Sequence, residues 1–126
     1  MGVCLRAGTT GAYSSGDREA VLEAQEWYDK NSGNRTHPVG QKRPNVWGLY
    51  DMHGNVWEWC ADWYGKDYYR NSPVDDPRGP GSGEKRVLRS GSWNESAFFC
   101  RAADRAFGTP TARYSGIGLR VTVGAP

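Results

Sequence analysis

Long apolar runs are missing from this chain of 126 residues. No stretch approaches the roughly 18 apolar residues that a spanning helix needs, and mean hydropathy is −0.76, which excludes a membrane-inserted protein. Histidine is scarce: His37 and His53 are the only two, so a multi-histidine zinc or iron site is not expected. Cysteine is scarce too. Cys4, Cys60 and Cys100 include no CxxC pair and are odd in number, so they do not form a disulfide framework. One bridge with a lone thiol and three buried thiols are both open. Charge of one sign is also lacking, with 16 basic and 14 acidic residues spread along the chain. That balance suggests neither a nucleic-acid binder nor a polybasic membrane anchor. Met1-Gly2-Val3-Cys4-Leu5 runs straight into a polar turn, so no secretory leader is expected.

Glycine and large rings are abundant. Gly 17, Trp 6 and Tyr 7 in so short a chain argue against a helical bundle and against disorder. The length suits one domain, residues 1–126, with its core built from rings. Asp17 is placed to cap a helix over Arg18 to Asp29, where Val21, Leu22, Ala24 and Tyr28 fall near helical spacing. Val56-Trp57-Glu58-Trp59-Cys60 alternates like a strand and is bounded by a turn at His53-Gly54-Asn55. Arg86–Ser92, Cys100–Arg105 and Ile117–Val123 read as further strands, with loop over Ala106–Gly116. Gly65–Lys85 is a long loop, of the kind that is functional or fixed by local contacts or ions. The expected class is α+β, loop-rich, with short antiparallel strands and one or two helices.

The segment NVWGLYDMHGNVWEWCADWY, from Asn45 to Tyr64, resembles the signature block of the formylglycine-generating-enzyme (sulfatase-modifying factor) family. Its flanks agree: CLRAGT at 4–9, PVG at 38–40, RVLRSGSW at 86–93 and GIGLRV at 116–121 stand in the family's order. The resemblance implies a variant of the C-type lectin fold, with this chain matching the C-terminal half to two-thirds of the family domain.

Catalytic members carry two cysteines five apart that hold copper(I), a soft ion suited to thiolates. Here the first position falls on Glu95 and the second on Cys100. A thiolate and a carboxylate do not make a linear dithiolate site, so the sequence points to a chain that is not an enzyme and binds no copper. The alternative is a copper-dependent oxidase acting on a peptide cysteine. In some relatives the counterpart of Cys4 is bridged to a C-terminal cysteine, which makes Cys4–Cys100 a candidate pair beside the reading of buried thiols. Cys60 reads as a small buried hydrophobe.

The resemblance also implies a structural calcium ion, held by side-chain oxygens of Asp51 and Glu58 and carbonyls of Gly54 and Val56. Hard oxygen donors from one tight turn suit calcium. The plainer reading has the two carboxylates capping the turn by bonding backbone amides. The sugar-site tripeptides EPN, QPD and WND are absent, so calcium-dependent sugar binding is not supported. Trp47, Trp57, Trp59, Trp63 and Trp93 are read as core in preference to a glycan-stacking face.

Residues 94–117 mix rings, small residues and isolated charges, as binding loops do. Some family members are variable proteins of diversity-generating retroelements, in which adenine-directed mutagenesis of Asn codons excludes Trp, Met, Lys, Gln and Glu. Those five types make up 20 of the 126 residues, yet only Glu95 falls within this window, several times fewer than elsewhere. Gly91, Ser92, Trp93, Cys100, Arg101, Arg105, Pro110, Gly118 and Arg120 keep the family frame around it. The sequence therefore points to a ligand-binding domain that displays a diversified surface. The expected contacts are Trp93, Asn94, Ser96, Phe98, Phe99, Asp104, Phe107, Thr109, Arg113 and Tyr114. The expected partner is a protein or cell-surface ligand, with no nucleic acid and no membrane insertion.

Overall fold

The computed structural model describes residues 8–14, 16–73, 75 and 77–121. Helix α1 spans Glu19–Gln25 and presents Leu22 to the interior. It is shorter than the expected Arg18–Asp29. Arg18, not Asp17, is its N-cap residue and provides no side-chain cap; the Asp17 carboxylate accepts from the Ala12 amide at 2.8 Å. The helix stops at Glu26, whose backbone is extended, and Trp27 then forms a parallel bridge with Gly54. Pairing with the central turn thus outcompetes another helical turn.

Strand β1 covers Trp57–Trp63, as the alternation predicted, and runs a little further. Strand β2 is Arg86–Arg89, with Val87 and Leu88 buried. The backbone then turns through the left-handed region at Ser90 and Gly91, where φ is 88° and 72°. Gly91 is needed for a second reason: a Cβ there would stand 2.7 Å from the Cys100 sulfur. Strand β3 is Ala106–Gly108, inside the segment read as loop, whereas the expected strand at Cys100–Arg105 is a series of turns and bends. The ladder explains the exchange: Val87 pairs with Phe107 and Leu88 with Ala106, a long-range register that local pattern does not reveal. Strand β4 is only Ile117–Gly118, and part of the closing strand expected there lies outside the described residues.

The sheet order is β3-β2-β1-β4. β1 is antiparallel to β2 and parallel to β4. The core is not the tryptophan cluster that the composition suggested. Tyr13, Leu22, Tyr28 and Cys100 form one buried cluster with Ala12 and Ala97 against it, and Met52 and Ala102 form a second beside Leu49. Among the tryptophans only Trp57 is buried; Trp59, Trp63 and Trp93 are half-buried and Trp47 is exposed. Rings this large lie at the boundary, covering polar loop backbone with one face. The long loop after β1 is held by such contacts, with Gly83 against the Trp63 ring and the Arg86 guanidinium 3.4 Å from that ring's centre. Among the described residues no helix is long and apolar enough to cross a membrane. The molecule is a loop-rich α+β domain.

Candidate functional site

The chain is organised around the turn His53-Gly54-Asn55. Gly54 and Asn55 are both left-handed, with φ of 76° and 58°, conformations that favour glycine and asparagine. A Cβ at Gly54 would stand 2.2 Å from the Trp27 carbonyl oxygen. That close approach lets the Asn55 amide donate to the Trp27 carbonyl at 2.7 Å. The Asn55 side chain accepts from the His37 amide at 3.0 Å and donates to the His37 carbonyl at 3.1 Å, while its own carbonyl accepts from the Trp93 amide at 2.9 Å. The fully buried His53 accepts from the Ser14 amide at Nε2, at 3.0 Å. Its Nδ1 donates to the Cys100 carbonyl at 2.7 Å, which fixes the neutral tautomer with the proton on Nδ1. One short turn therefore bonds to Ser14, Trp27, His37, Trp93 and Cys100, all distant from it in sequence.

The expected calcium residues stand next to this turn. A cavity of about 400 Å³ is lined by Asp51, Gly54, Val56 and Glu58, with Tyr50, Leu119 and Arg120 among its other walls. The two carboxylates do not cap the turn in the manner expected. Asp51 Oδ2 accepts from the Gly40 amide at 2.7 Å, a bond to a separate segment. Glu58 takes the Arg120 guanidinium, Nη2 to Oε1 at 2.8 Å and Nε to Oε2 at 3.1 Å. Arg120 also donates to the carbonyls of Tyr50 and Asp51, at 3.0 and 2.9 Å. Burial pushes the Glu58 carboxyl above its usual range, and Arg120 pulls it back. Among the described residues no three His, Cys, Asp or Glu side chains gather closely enough to hold a metal. A cation here would rely on carbonyls. Of the side chains, Asp51 Oδ1 is buried with no hydrogen-bond partner and is open to a cation, while both Glu58 oxygens already accept from Arg120.

The window 94–117 shows a different pattern: much of its tethering goes to its backbone. Ser32 Oγ donates to the Trp93 carbonyl just before it, and the Asp29 amide to that of Glu95. Tyr13 OH donates to the Ala97 carbonyl and Arg101 Nε to that of Phe98. Arg89 Nη1 reaches the carbonyls of Ala102, Ala103 and Asp104. The Trp57 amide donates to the Gly116 carbonyl at 2.7 Å, which closes the segment. Cys100 and Ala102 reach into the core, and many of the other side chains are left outside. Asn94, Ser96, Thr109 and Arg113 are exposed, as are Phe98, Phe99, Phe107 and Tyr114, the last 72% accessible. Trp93 and Asp104 are half-buried, and burial raises the Asp104 carboxyl. Phe98 and Phe99 meet edge to face at 5.3 Å.

Cys100 is fully buried and its thiol is not in a disulfide. Cys4, the other half of the candidate bridge, lies outside the described residues. Burial, reinforced by the carboxylates of Glu26, Glu95 and Asp29, pushes the Cys100 thiol up to about 12, so it is neutral at physiological pH. Glu95 accepts from the Trp57 indole at 3.4 Å. Cys60 is half-buried, more open than expected, and its thiol is also raised by burial.

Sequence reasoning missed Tyr64, Tyr69, Lys85 and Arg89, and took Arg105 only as part of the frame; the group reaches Phe107 through Tyr64 and Lys85. The Phe107 ring lies 4.3 Å from the Tyr64 ring and 4.3 Å from Lys85 Nζ. Arg105 donates to the carbonyls of Gly65 and Lys66, fastening the long loop to the edge of the window. The available signal was an interleaving of rings and cations on both sides of a proline-rich loop.

Known proteins bear on this geometry. The sulfatase-modifying factor enzyme 1-like domain matches residues 2–125. The formylglycine-generating enzyme of Streptomyces coelicolor is 47% identical over 88 residues, covering 68% of this chain and 28% of that protein. Among solved structures, Treponema denticola variable protein 1 superposes with a TM-score of 0.86 at 42% identity, over 94% of this chain and 42% of the other. PvdO from Pseudomonas aeruginosa superposes at 0.80 with 29% identity, over 94% of this chain and 47% of the other. The chain thus spans less than a third of the enzyme and less than half of either structure.

The expectation that the chain is not an enzyme is corrected by these matches, since relatives of this similarity are formylglycine-generating enzymes. The physical reason is that a missing cysteine pair removes one way to hold copper, and that alone does not decide whether a scaffold catalyses. The shared scaffold and the match over nearly the whole chain place it in the sulfatase-modifying factor enzyme 1-like domain family.

Proposed function

We propose that residues 94–117 form a ligand-binding surface, displayed on a rigid scaffold and directed at a protein or cell-surface ligand. One observation carries this reading: apart from the buried Cys100 and Ala102, the window is held largely through its carbonyls while its four rings and several polar side chains are exposed. A backbone held in this way tolerates many side chains, because a carbonyl accepts the same bond whatever residue bears it. Rigid rings with small polar neighbours then provide contact area at low entropic cost. The likeness to a variable protein supports a diversified surface of this kind.

The test replaces Phe98, Phe99 and Tyr114 together by Ala and measures capture of cell-surface proteins by the immobilised chain. Loss of a captured protein with the melting temperature nearly unchanged is expected. Undiminished capture of every protein would refute the surface.

Calcium at Asp51, Gly54, Val56 and Glu58 belongs to the same proposal. It would neutralise the orphaned Asp51 oxygen and stiffen the turn beneath the window. Added calcium should raise the melting temperature of the wild type and not of Asp51→Asn.

A second reading, oxidation of a peptide cysteine, is favoured by the 47% identity to a formylglycine-generating enzyme. The Cys100 thiol would then have to lose its proton and become accessible. Tight one-to-one copper(I) binding that is lost in Cys100→Ser would support this reading, and no binding would remove its copper-dependent form.

A further inference from the structure

The rings at the β3 end of the window belong to a longer row. Lys85 Nζ lies over Phe107, Phe107 against Tyr64, and the Arg105 guanidinium between Tyr64 and Tyr69, at 4.8 and 4.3 Å from their centres. The row ends where Arg89 Nη2 donates to the Tyr69 hydroxyl at 2.9 Å. Three cations and three rings make up the row, with Phe107 and Tyr64 in direct contact, drawn from β2, β3 and their flanks and from the loop after β1.

The charge on this row is not neutralised internally. Among the described residues, ion pairs join Lys30 to Glu19, Arg70 to Asp67 and Arg120 to Glu58, and none involves Lys85, Arg89 or Arg105. Arg89 and Arg105 are fixed by carbonyls, which hold a guanidinium in place without cancelling its charge. Carboxylates flank the row: the half-buried Asp104 interacts with Arg89 and Arg101, the exposed Glu84 precedes Lys85, and Asp67, just before Tyr68 and Tyr69, is paired with Arg70.

The pairing of charge with exposed ring selects the kind of anion. Lys85 lies over Phe107 and Arg105 over Tyr64 and Tyr69, while Phe107 and Tyr69 themselves stay exposed. The cations sit over ring faces, so a ligand that meets them meets exposed apolar ring surface in the same place. Carboxylates on a flexible chain, interspersed with apolar groups, fit that pattern.

We propose that this row binds an acidic polypeptide segment, seating its carboxylates between Lys85, Arg105 and Arg89 and its apolar groups on Phe107 and Tyr69. The inference rests on the reading of residues 94–117 as a binding surface, which it extends beyond the window and to which it assigns a partner chemistry.

The test is fluorescence anisotropy with a labelled peptide of alternating Glu and Tyr, compared with its Gln-for-Glu counterpart, oligo-dT and a heparin fragment. The Glu peptide should bind about tenfold more tightly than the Gln peptide and should weaken several-fold at ~0.5 M salt. Lys85→Gln with Tyr69→Ala should weaken binding at least several-fold, and Lys85→Glu alone provides the same readout if the double variant unfolds. Equal affinity for the Glu and Gln peptides, tighter binding of oligo-dT or heparin, or indifference to Lys85→Glu would overturn the proposal. The Phe98/Phe99/Tyr114 variant separates the two readings. If it retains partner capture while Lys85→Glu abolishes peptide binding, the display reading fails and the row stands. If it loses the partner while the acidic peptide never binds, the row fails alone.

Discussion

The turn at 51–58 and the window at 94–117 are built by opposite rules. In the turn, side chains and special backbone conformations do the bonding: Asn55 secures the segment at His37, His53 secures those at Ser14 and Cys100, and Glu58 clamps Arg120. In the window, partners elsewhere in the fold reach in to carbonyls, and its four rings remain exposed while Cys100 and Ala102 anchor it in the core. The first region is defined by which residues it contains, the second by where its chain runs. A surface whose side chains can change needs a support whose side chains cannot.

Substitutions can break or sharpen that contrast. The largest effect is expected at Gly54→Ala. Its Cβ would collide with the Trp27 carbonyl and φ is positive, so a loss of about 4 kcal/mol or more is expected by chemical denaturation. Arg120→Leu comes next. It leaves the buried Glu58 unpaired and should cost about 3 kcal/mol, the low end for such a break, because Glu58 can take up a proton.

Glu26→Gln should move stability the other way. The Glu26 carboxyl is held well above its usual range, first by burial, and the nearby Asp51 adds to the shift. A raised acid stabilises the fold fully only below its unfolded pKa. That contribution is lost as pH rises through the folded value. The wild type should therefore weaken from about pH 4.5 upward. Glu26→Gln should flatten this slope and raise the melting temperature at pH 7. A wild-type slope preserved in Glu26→Gln would show that the pH dependence lies elsewhere.

The smallest effect is expected from Phe98, Phe99 or Tyr114 to Ala, singly within about 0.5 kcal/mol of wild type. A loss of ~2 kcal/mol at any of them would mean that the window is packed and not displayed.

Much of the turn was legible in the sequence. His53-Gly54-Asn55 ahead of the alternating Trp57-Glu58-Trp59 announces a tight turn into a strand, and β1 begins there. The exposure of Phe98, Phe99, Phe107 and Tyr114 was legible because small and polar residues surround them. The bonding of the two carboxylates was not. Glu58 and Arg120 lie 62 residues apart, and only the β1–β4 pairing brings them together. The end of α1 was hidden for the same reason, since Trp27 leaves the helical path to bridge Gly54. Phe107 looked like a loop residue because its strand exists only through pairing with β2.

The sequence by itself determined the family scaffold, the position of the central turn and the location of the exposed window. Those follow from local chemistry: glycine and asparagine where φ is positive, alternation where a strand is half-buried, small polar residues where a loop meets water. The tertiary structure decided which groups neutralise the buried carboxylates, which rings form the core and which cations line up beside Phe107. Each of these depends on contacts between residues far apart in the chain, and the register of a short sheet sets them.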